Sequence, residues 1–195
     1  WGGPVMRGPL FVIVRDDASG AAGMQAADAV VNCVGVRNQV GKNTCSAVQA
    51  EGAERIARLA KAAGIDRLVH LSAIGADAGA SSEYARTKAA GEAGVLAHMP
   101  GAVILRPSVI FGAEDGFFNR FAAMARLGPV LPIAGGATKF QPVYVDDVAQ
   151  AAVKGILGEA AAGIYALGGA GGQSLARQRQ KKGGGSTGGG GGGGR

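Results

Sequence analysis

The chain has 195 residues, of which 47% are apolar and 17% charged, which is enough for one globular domain with a core. No apolar stretch reaches the roughly 20 residues of a membrane span, and no charged-then-apolar signal opens the chain, so we expect a soluble, cytoplasmic protein. Of the formal charge of +6, five units come from residues 171–195, which hold five of the 20 basic side chains and none of the 14 acidic ones. The nearly neutral remainder argues against nucleic-acid binding by the folded part.

The first elements predict a lead-in followed by a buried strand. Leu10–Val14 is a short apolar run typical of a strand, and the small residues of Asp16–Ala27 predict one weak helix. Ala29–Gly35 is continuous, β-branched and stopped by glycine, as in a strand that is covered on both faces. We therefore interpret 1–27 as an irregular lead-in with one short strand and 28–170 as the main domain.

Helical and strand patterns alternate along the rest of this domain. The helical patterns are Thr44–Ala63, a segment capped by Ser82, Asp115–Leu127 and Asp146–Leu157, and the strand patterns are Arg67–Ser72, Ala102–Leu105, Phe140–Val145 and Ile164–Leu167. Such alternation predicts an α/β fold with a parallel sheet covered on both faces. Ligands of such sheets bind at the carboxyl ends of the strands, where Gly35, Ser72 and Pro107 lie, and we expect Arg106-Pro107 to end its strand.

Other conspicuous residues favour structural roles. Cys33 and Cys45 form neither a metal-binding spacing nor a disulfide framework, which predicts buried or partly buried reduced thiols. His70 and His98 lack a second ligand at metal spacing, so we expect structural histidines and no metal site. The glycine-rich, basic segment 171–195 predicts a disordered tail.

One constellation favours chemistry with a nicotinamide cofactor. Tyr84 and Lys88 lie four residues apart on a predicted helix and therefore share a face. An ammonium beside a phenol favours the phenolate and lowers its pKa toward a value useful for proton transfer. Ser72 ends the preceding strand and could hydrogen-bond the same reacting oxygen. The spacing alone is weak evidence, and its position after a strand and a serine carries the interpretation.

These segments, in this order, resemble the short-chain dehydrogenase/reductase superfamily in its extended or atypical branches. The stretches most similar to the nucleotide-binding accessory subunits of respiratory complex I and their bacterial relatives are Val48–Gly52, Leu71–Asp77, Leu105–Asp115, Phe117–Phe121 and Gln141–Ala149. The resemblance covers residues 26–170. It implies a Rossmann-like, doubly wound parallel sheet that binds NADP(H) or NAD(H), with respiratory complex I or another protein as partner.

The resemblance also implies roles for individual residues. Three would be catalytic as well as cofactor-binding, namely Ser72 beside the nicotinamide or a substrate oxygen, Tyr84 as proton donor or acceptor, and Lys88 on the nicotinamide ribose. Further cofactor contacts would come from Val34 and Gly35 at the adenosine end and from Pro107, Ser108 and Val109 in the wall of the nicotinamide pocket. Each residue has a plain structural alternative, such as a strand-ending glycine, a turn proline or a capping serine.

The chain departs from this family at its start. In the family, the first strand leads into a Gly-x-x-Gly-x-x-Gly turn that brings backbone amides and a helix N-terminus to the pyrophosphate. No such turn occurs before residue 28, and Gly20 and Gly23 lack both a suitable preceding strand and a third glycine. We therefore expect a sheet without its first strand, glycine-rich turn and second strand. An apolar edge on Ala29–Gly35, unless Leu10–Val14 pairs there, and weakened cofactor binding would follow.

Three functions remain open from the sequence. The leading one is a dinucleotide-binding protein of the complex I accessory type, which binds the cofactor for structural or assembly purposes and is cytoplasmic or peripheral to the inner membrane through a partner complex. The second is an NAD(P)-dependent reductase, epimerase or dehydratase that uses a Ser-Tyr-Lys triad, and the third is a truncated, non-functional fragment. The apolar residues after Pro107 slightly favour an apolar or quinone-like ligand.

Overall fold

The computed structural model describes residues 14–25, 27–36, 39–112, 143–168 and 176–177. The helices in this part of the chain are α1 (Asp17–Met24), a π-helical segment (Ser46–Ala50), α2 (Glu51–Ala62), α3 (Glu83–His98) and α4 (Val145–Leu157). The strands are β1 (Val30–Asn32), β2 (Leu68–Leu71), β3 (Val103–Pro107), β4 (Ile110–Phe111), β5 (Val143–Tyr144), β6 (Gly163–Leu167) and β7 (Ala176–Arg177).

Five strands form one sheet in the order β1-β2-β3-β6-β7. The first four are parallel neighbours, and β7 is antiparallel to β6. Strands β4 and β5 form a separate parallel pair. Parallel neighbours that are joined by helical crossovers confirm the predicted α/β, Rossmann-like sheet.

Side chains that alternate along the strands build a core on each face of this sheet. On β2, Leu68 packs in a cluster with residues of α2 and α3, whereas Val69 packs in a cluster with residues of α4. On β3, Ile104 joins the first cluster, and Val103 and Leu105 join the second. Helices on both faces explain why these strands read as continuous apolar runs, and they confirm the doubly wound arrangement.

Helix α3 approaches the π-helical segment so closely that only glycine fits at one contact point. A Cβ atom on Gly91 would collide with the backbone carbonyl oxygen of Gln49. Gln49 is itself fully buried, and its side-chain amide donates a hydrogen bond to the carbonyl of Val36. Because α3 carries Tyr84 and Lys88, this contact fixes the helix that presents the candidate site.

The predicted stop of the third strand was wrong. Strand β3 continues through Arg106 and Pro107, which pair with β6. Proline has no backbone N–H, but the residues around it continue the hydrogen bonding of the sheet. The Ser108 N–H donates to the Leu167 carbonyl at 2.9 Å, and the Pro107 carbonyl accepts from the Ile74 N–H at 2.9 Å. The strand thus keeps hydrogen bonds on both of its sides up to its last residue.

The ends of other elements also differ from the prediction. The predicted helix Thr44–Ala63 consists of the π-helical segment followed by α2. Ala176 and Arg177 belong to the segment predicted to be disordered, yet they pair with β6, whose edge offers unpaired backbone groups. The predicted residues 10–13 and 140–142, the helix Asp115–Leu127 and the rest of the tail lie outside the described residues.

Within the described part of the chain, β1 has a neighbouring strand on one side only. Val31 is 39% exposed and Val34 is 37% exposed. Beside them lies a trough of about 390 Å³ whose walls come from β1, α1 and α2, the edge trough. The sequence predicts such an exposed apolar edge for a sheet that lacks its first strand. Among the helices just described, none combines the length and the apolar character needed to cross a bilayer.

Candidate functional site

The carboxyl ends of β1, β2 and β3 meet at a pocket of about 260 Å³, the rim pocket. Its lining comes from these strand ends, from α3 and from β4, and comprises Cys33, Gly35, Val36, Leu71, Ser72, Tyr84, Lys88, Pro107 and Ile110. It brings together five of the eight residues that the sequence assigned to the site. Such a position, outside the carboxyl ends of parallel strands, is where ligands bind in open α/β sheets.

The other three predicted residues do not line the rim pocket. Val34 lines the edge trough, and its N–H donates to the Asn32 side-chain oxygen at 3.1 Å. Ser108 and Val109 are half-buried between β3 and β4. Their backbone groups bond to β6 and β5, since the Ser108 N–H donates to Leu167 and the Val109 carbonyl accepts from the first residue of β5, each at 2.9 Å. Their contacts with a cofactor stay predictions.

Ser72 contributes a buried hydroxyl to the rim pocket. The residue is 5% exposed, and its Oγ has no hydrogen-bond partner in the described part of the chain. Its backbone N–H donates to the Leu105 carbonyl at 2.7 Å, which fixes the residue at the end of β2. An unsatisfied buried hydroxyl costs about 1–3 kcal/mol. A polar ligand atom in the pocket would remove this cost, and the site therefore fits a polar ligand.

Lys88 brings a buried ammonium to the same pocket. The residue is 4% exposed, and its Nζ donates to the Leu71 carbonyl at 3.1 Å. Burial lowers the pKa of Lys88, and the nearby Glu92 and Cys33 oppose this shift. A Cβ on Gly35 would lie 3.3 Å from Nζ, so the glycine leaves room for the ammonium. An ammonium has three N–H donors, and those beyond the Leu71 bond can meet ligand oxygens.

Tyr84 lies in the first turn of α3, one turn before Lys88, and is half-buried at the rim pocket. Ser82 occupies the N-cap position as predicted, but its side chain makes no capping hydrogen bond. The loop between β2 and α3 is instead tied to the helix by the Asp77 N–H, which donates to the Ala85 carbonyl at 3.3 Å. The phenol therefore enters the pocket from a helix whose start is anchored through the backbone.

A buried ion pair behind the rim pocket joins α3 to β3. The Arg106 guanidinium donates to both oxygens of Glu92, at 2.8 Å from Nε and 2.6 Å from Nη2, and this hydrogen bonding raises the pKa of Arg106. The Glu92 side chain is only 5% exposed. Because Glu92 lies one turn after Lys88, the pair holds the helix that presents the ammonium. The sequence analysis does not predict this pair. The only signal was that Glu92 lies among small residues and that Arg106 follows an apolar run.

His70 and Asn32 form a hydrogen-bonded pair on neighbouring strands beneath the pocket. The Asn32 amide and His70 Nδ1 lie 3.1 Å apart, and both side chains are buried. Burial, with a smaller contribution from the positive charge of Lys88, lowers the pKa of His70 to about 4. The imidazole is therefore neutral at physiological pH. It links β2 to β1 through Asn32, which is a structural role of the kind that the sequence predicts.

We predict that His70 makes the protein acid-sensitive. The pKa lies near 4 in the folded state and at 6.5 without burial, so between these values the unfolded chain binds a proton that the folded chain does not. The stability is fully present above pH 6.5 and is lost as the pH falls toward 4, by about 3 kcal/mol. Denaturant titrations of the wild type and His70→Gln should diverge over this range. Equal pH profiles for the wild type and His70→Gln would contradict the prediction.

The two cysteines differ in their surroundings. Cys45 is buried, as predicted. Cys33, one residue after the end of β1, is exposed at the rim pocket, yet its surroundings still desolvate the thiol in part, so only the weaker form of the prediction, a partly buried thiol, holds for it. The residues that the structure describes contain no cluster of side chains that could hold a metal ion.

Comparisons with known proteins agree with this geometry. The family described as the NAD dependent epimerase/dehydratase family matches residues 12–168. The mitochondrial NADH dehydrogenase [ubiquinone] 1 alpha subcomplex subunit 9 of Arabidopsis thaliana is 38% identical over 165 residues, 83% of this chain and 41% of that protein. The mitochondrial NADH-ubiquinone oxidoreductase 40 kDa subunit of Neurospora crassa is 35% identical over 139 residues, 71% of this chain and 36% of that protein.

The chain thus spans about two-fifths of the length of these relatives. Solved structures extend the likeness in fold. The Bordetella bronchiseptica enzyme WbmG in complex with NAD and UDP matches 80% of this chain and 55% of its own length, with a TM-score of 0.66 and 16% identity. DesIV, a dTDP-glucose 4,6-dehydratase from Streptomyces venezuelae, matches 80% of this chain and 56% of its own length, with a TM-score of 0.63 and 24% identity.

Proposed function

Because the chain belongs to the NAD dependent epimerase/dehydratase family, we propose that it binds NADP(H) or NAD(H) at the rim pocket as a protein of the complex I accessory type. The observation that carries this proposal is the unsatisfied, buried hydroxyl of Ser72 in a pocket that also holds the Lys88 ammonium. The hydroxyl and the ammonium can both donate hydrogen bonds to a ligand that is rich in oxygen atoms. The relatives named as subunits of NADH dehydrogenase support the accessory role.

We assign each residue a part in holding the dinucleotide. Lys88 donates to the hydroxyls of the nicotinamide ribose, and Ser72 hydrogen-bonds a polar atom at the nicotinamide end. Gly35 lets the ligand approach the backbone, and Pro107 forms part of the wall. Val34 faces the adenosine end along the edge trough. Residues 1–27 contain no Gly-x-x-Gly-x-x-Gly turn, and backbone amides at a helix N-terminus are the usual ligands of the pyrophosphate, so we expect these residues to bind that group weakly.

Ser108 and Val109 are the proposed outer wall of the nicotinamide end. The apolar lining from Leu71 and Ile110 suits an apolar or quinone-like second ligand beside the nicotinamide. The partner that we propose is respiratory complex I, with the chain lying at the membrane periphery through that complex. The chain spans about two-fifths of the length of its relatives, so we propose these partner contacts for it rather than transfer them from the relatives.

Catalysis is the second candidate function. The observation that favours it is that Ser72, Tyr84 and Lys88 line one pocket, with a hydroxyl that lacks a partner among the described residues. A bound dinucleotide would supply a hydride there when reduced and accept one when oxidised. Tyr84 would give or take the proton of the substrate oxygen, Ser72 would hydrogen-bond that oxygen, and Lys88 would favour the phenolate of Tyr84. The protein would then be a reductase, epimerase or dehydratase.

Calorimetric titration with NADPH and NADH, followed by turnover assays with quinones, ketones and nucleotide sugars, tests both functions. The accessory role predicts saturable binding without turnover. The catalytic role predicts turnover that Tyr84→Phe abolishes while binding persists, since only the phenolic hydroxyl is removed and the ring is kept. Absence of binding to either dinucleotide would refute both functions, and turnover unaffected by Tyr84→Phe would refute the proposed acid/base.

A further inference from the structure

The chain carries a second chemical group in the rim pocket that the proposed function does not use. Cys33 follows β1 directly and is exposed, and its side chain is part of the lining together with Ser72 and Lys88. The only other cysteine of the chain, Cys45, is buried. Reagents that react with thiols in the folded protein therefore have one accessible target, and it lies within the candidate cofactor site.

Two further observations indicate that a ligand would occupy the space around this thiol. The Ser72 hydroxyl is 5% exposed and unpartnered within the described residues, and it lines the same pocket. The Lys88 ammonium is close enough to influence the thiol electrostatically. A group attached to Cys33 would share the pocket with this hydroxyl and this cation, so an anionic or polar group is favoured there.

We propose that Cys33 is a thiol-modification site, at which a low-molecular-weight disulfide forms a mixed disulfide that excludes the dinucleotide from the rim pocket. This inference rests on the proposed function, because it assumes that the dinucleotide binds at that pocket. Ligand pockets usually measure about 300–1,000 Å³, and the rim pocket measures about 260 Å³. Cys33 and Lys88 both line this one pocket, so we expect an adduct on Cys33 to compete with a nicotinamide ribose on Lys88 for the same space.

The reaction is ordinary thiol–disulfide exchange. The Cys33 thiolate attacks one sulfur of the small disulfide, a new S–S bond forms as the old one breaks, and the second sulfur leaves as a thiolate that takes up a proton. One disulfide is consumed and one is formed, so no other oxidant is needed. Burial raises the pKa of Cys33 and the Lys88 ammonium opposes this shift. Because the thiolate is the reacting form, adduct formation should accelerate as the pH rises.

Intact-protein mass spectrometry after incubation with glutathione disulfide tests the inference. The wild type and Cys45→Ser should each gain one glutathionyl group, Cys33→Ser should gain none, and peptide mapping of the wild type should locate the adduct on Cys33. NADPH at about ten times its dissociation constant should slow the reaction about tenfold, because only the free protein reacts. The modified wild type should lose NADPH binding in calorimetry, and a reducing thiol should restore it.

The outcomes separate this inference from the proposed function. If unmodified protein binds NADPH but the adduct forms equally fast in its presence, or if modified protein binds NADPH unchanged, the inference is wrong and the proposed function stands. An adduct on Cys45, or no adduct, would also overturn the inference alone. If unmodified protein binds neither NADPH nor NADH, the proposed function fails first, and the inference fails with it.

Discussion

Arg106→Met is expected to lower the free energy of unfolding by about 3–5 kcal/mol. The substitution keeps an unbranched apolar stem on β3 but removes the guanidinium that pairs with both oxygens of Glu92. The carboxylate side chain is only 5% exposed. A buried charge that loses its partner keeps its desolvation cost without the compensating attraction, which is why such substitutions are among the most destabilising. Denaturant titration at neutral pH measures the difference.

The chain offers a matched control in a second arginine–carboxylate pair of equal length. Arg58 Nη2 lies 2.6 Å from Asp17 Oδ2, the same distance as that between Arg106 Nη2 and Glu92 Oε2. The side chains of Arg58 and Asp17, however, are 44% and 58% exposed. After Arg58→Met, Asp17 keeps Arg55 at 2.7 Å and water solvates the remaining exposed charge, so the midpoint of unfolding should change little. Equal losses for the two substitutions would contradict the claim that burial makes the Glu92–Arg106 pair important.

The double substitution Glu92→Leu with Arg106→Met separates charge from packing. Replacement of both members of a buried pair by apolar residues is often close to neutral, although the buried Lys88 ammonium here also loses the attraction of Glu92. We therefore expect the double variant to recover most of the stability that Arg106→Met alone loses. If the double variant is as unstable as Arg106→Met, the loss comes from packing around β3, and the electrostatic account is wrong.

Lys88→Met should weaken dinucleotide binding about ten- to hundredfold, the largest functional effect that we expect. Methionine fills similar space but donates no hydrogen bond, and hydrogen bonds that involve a charged group contribute about 1.5–3 kcal/mol. The change should appear as a higher dissociation constant in the calorimetric titration. Lys154→Met on the exposed surface of α4 is the control, and it should bind as the wild type does.

The same variant distinguishes a functional lysine from a structural one. Burial already lowers the pKa of Lys88, which shows that the fold holds this ammonium against a desolvation cost. Lys88→Met removes that cost, so we expect the free energy of unfolding to fall by no more than about 1 kcal/mol, the usual contribution of one hydrogen bond such as that to the Leu71 carbonyl. Weakened binding in a variant of unchanged stability indicates a ligand contact. A large loss of stability with unchanged binding would assign Lys88 to the fold alone.

Much of the fold follows from the apolar pattern. The runs Ala29–Gly35 and Arg67–Ser72 contain β1 and β2, because strands inside a parallel sheet are rich in apolar, β-branched side chains. The exact strand ends do not follow, since they depend on partners elsewhere in the chain. Strand β3 passes through Pro107 only because a loop residue and β6 take over the hydrogen bonding there.

The candidate site could be predicted in part for a similar reason. The i, i+4 spacing of Tyr84 and Lys88 and the strand-ending Ser72 are local features, and local features can be read from the sequence. The Glu92–Arg106 pair joins two elements that pack together only in the folded state, so no spacing rule indicates it. The exposure of Cys33 likewise depends on the point at which β1 ends, one residue before the thiol.

The most direct test of the central claim, that the nicotinamide end of the cofactor lies in the rim pocket, is a nuclear Overhauser measurement on methyl-labelled protein with bound NADPH. The account predicts contacts between nicotinamide protons and the methyl groups of Leu71 and Ile110, which line that pocket. Contacts to Val153 and Leu157 in the groove on α4, with none to Leu71 or Ile110, would contradict it.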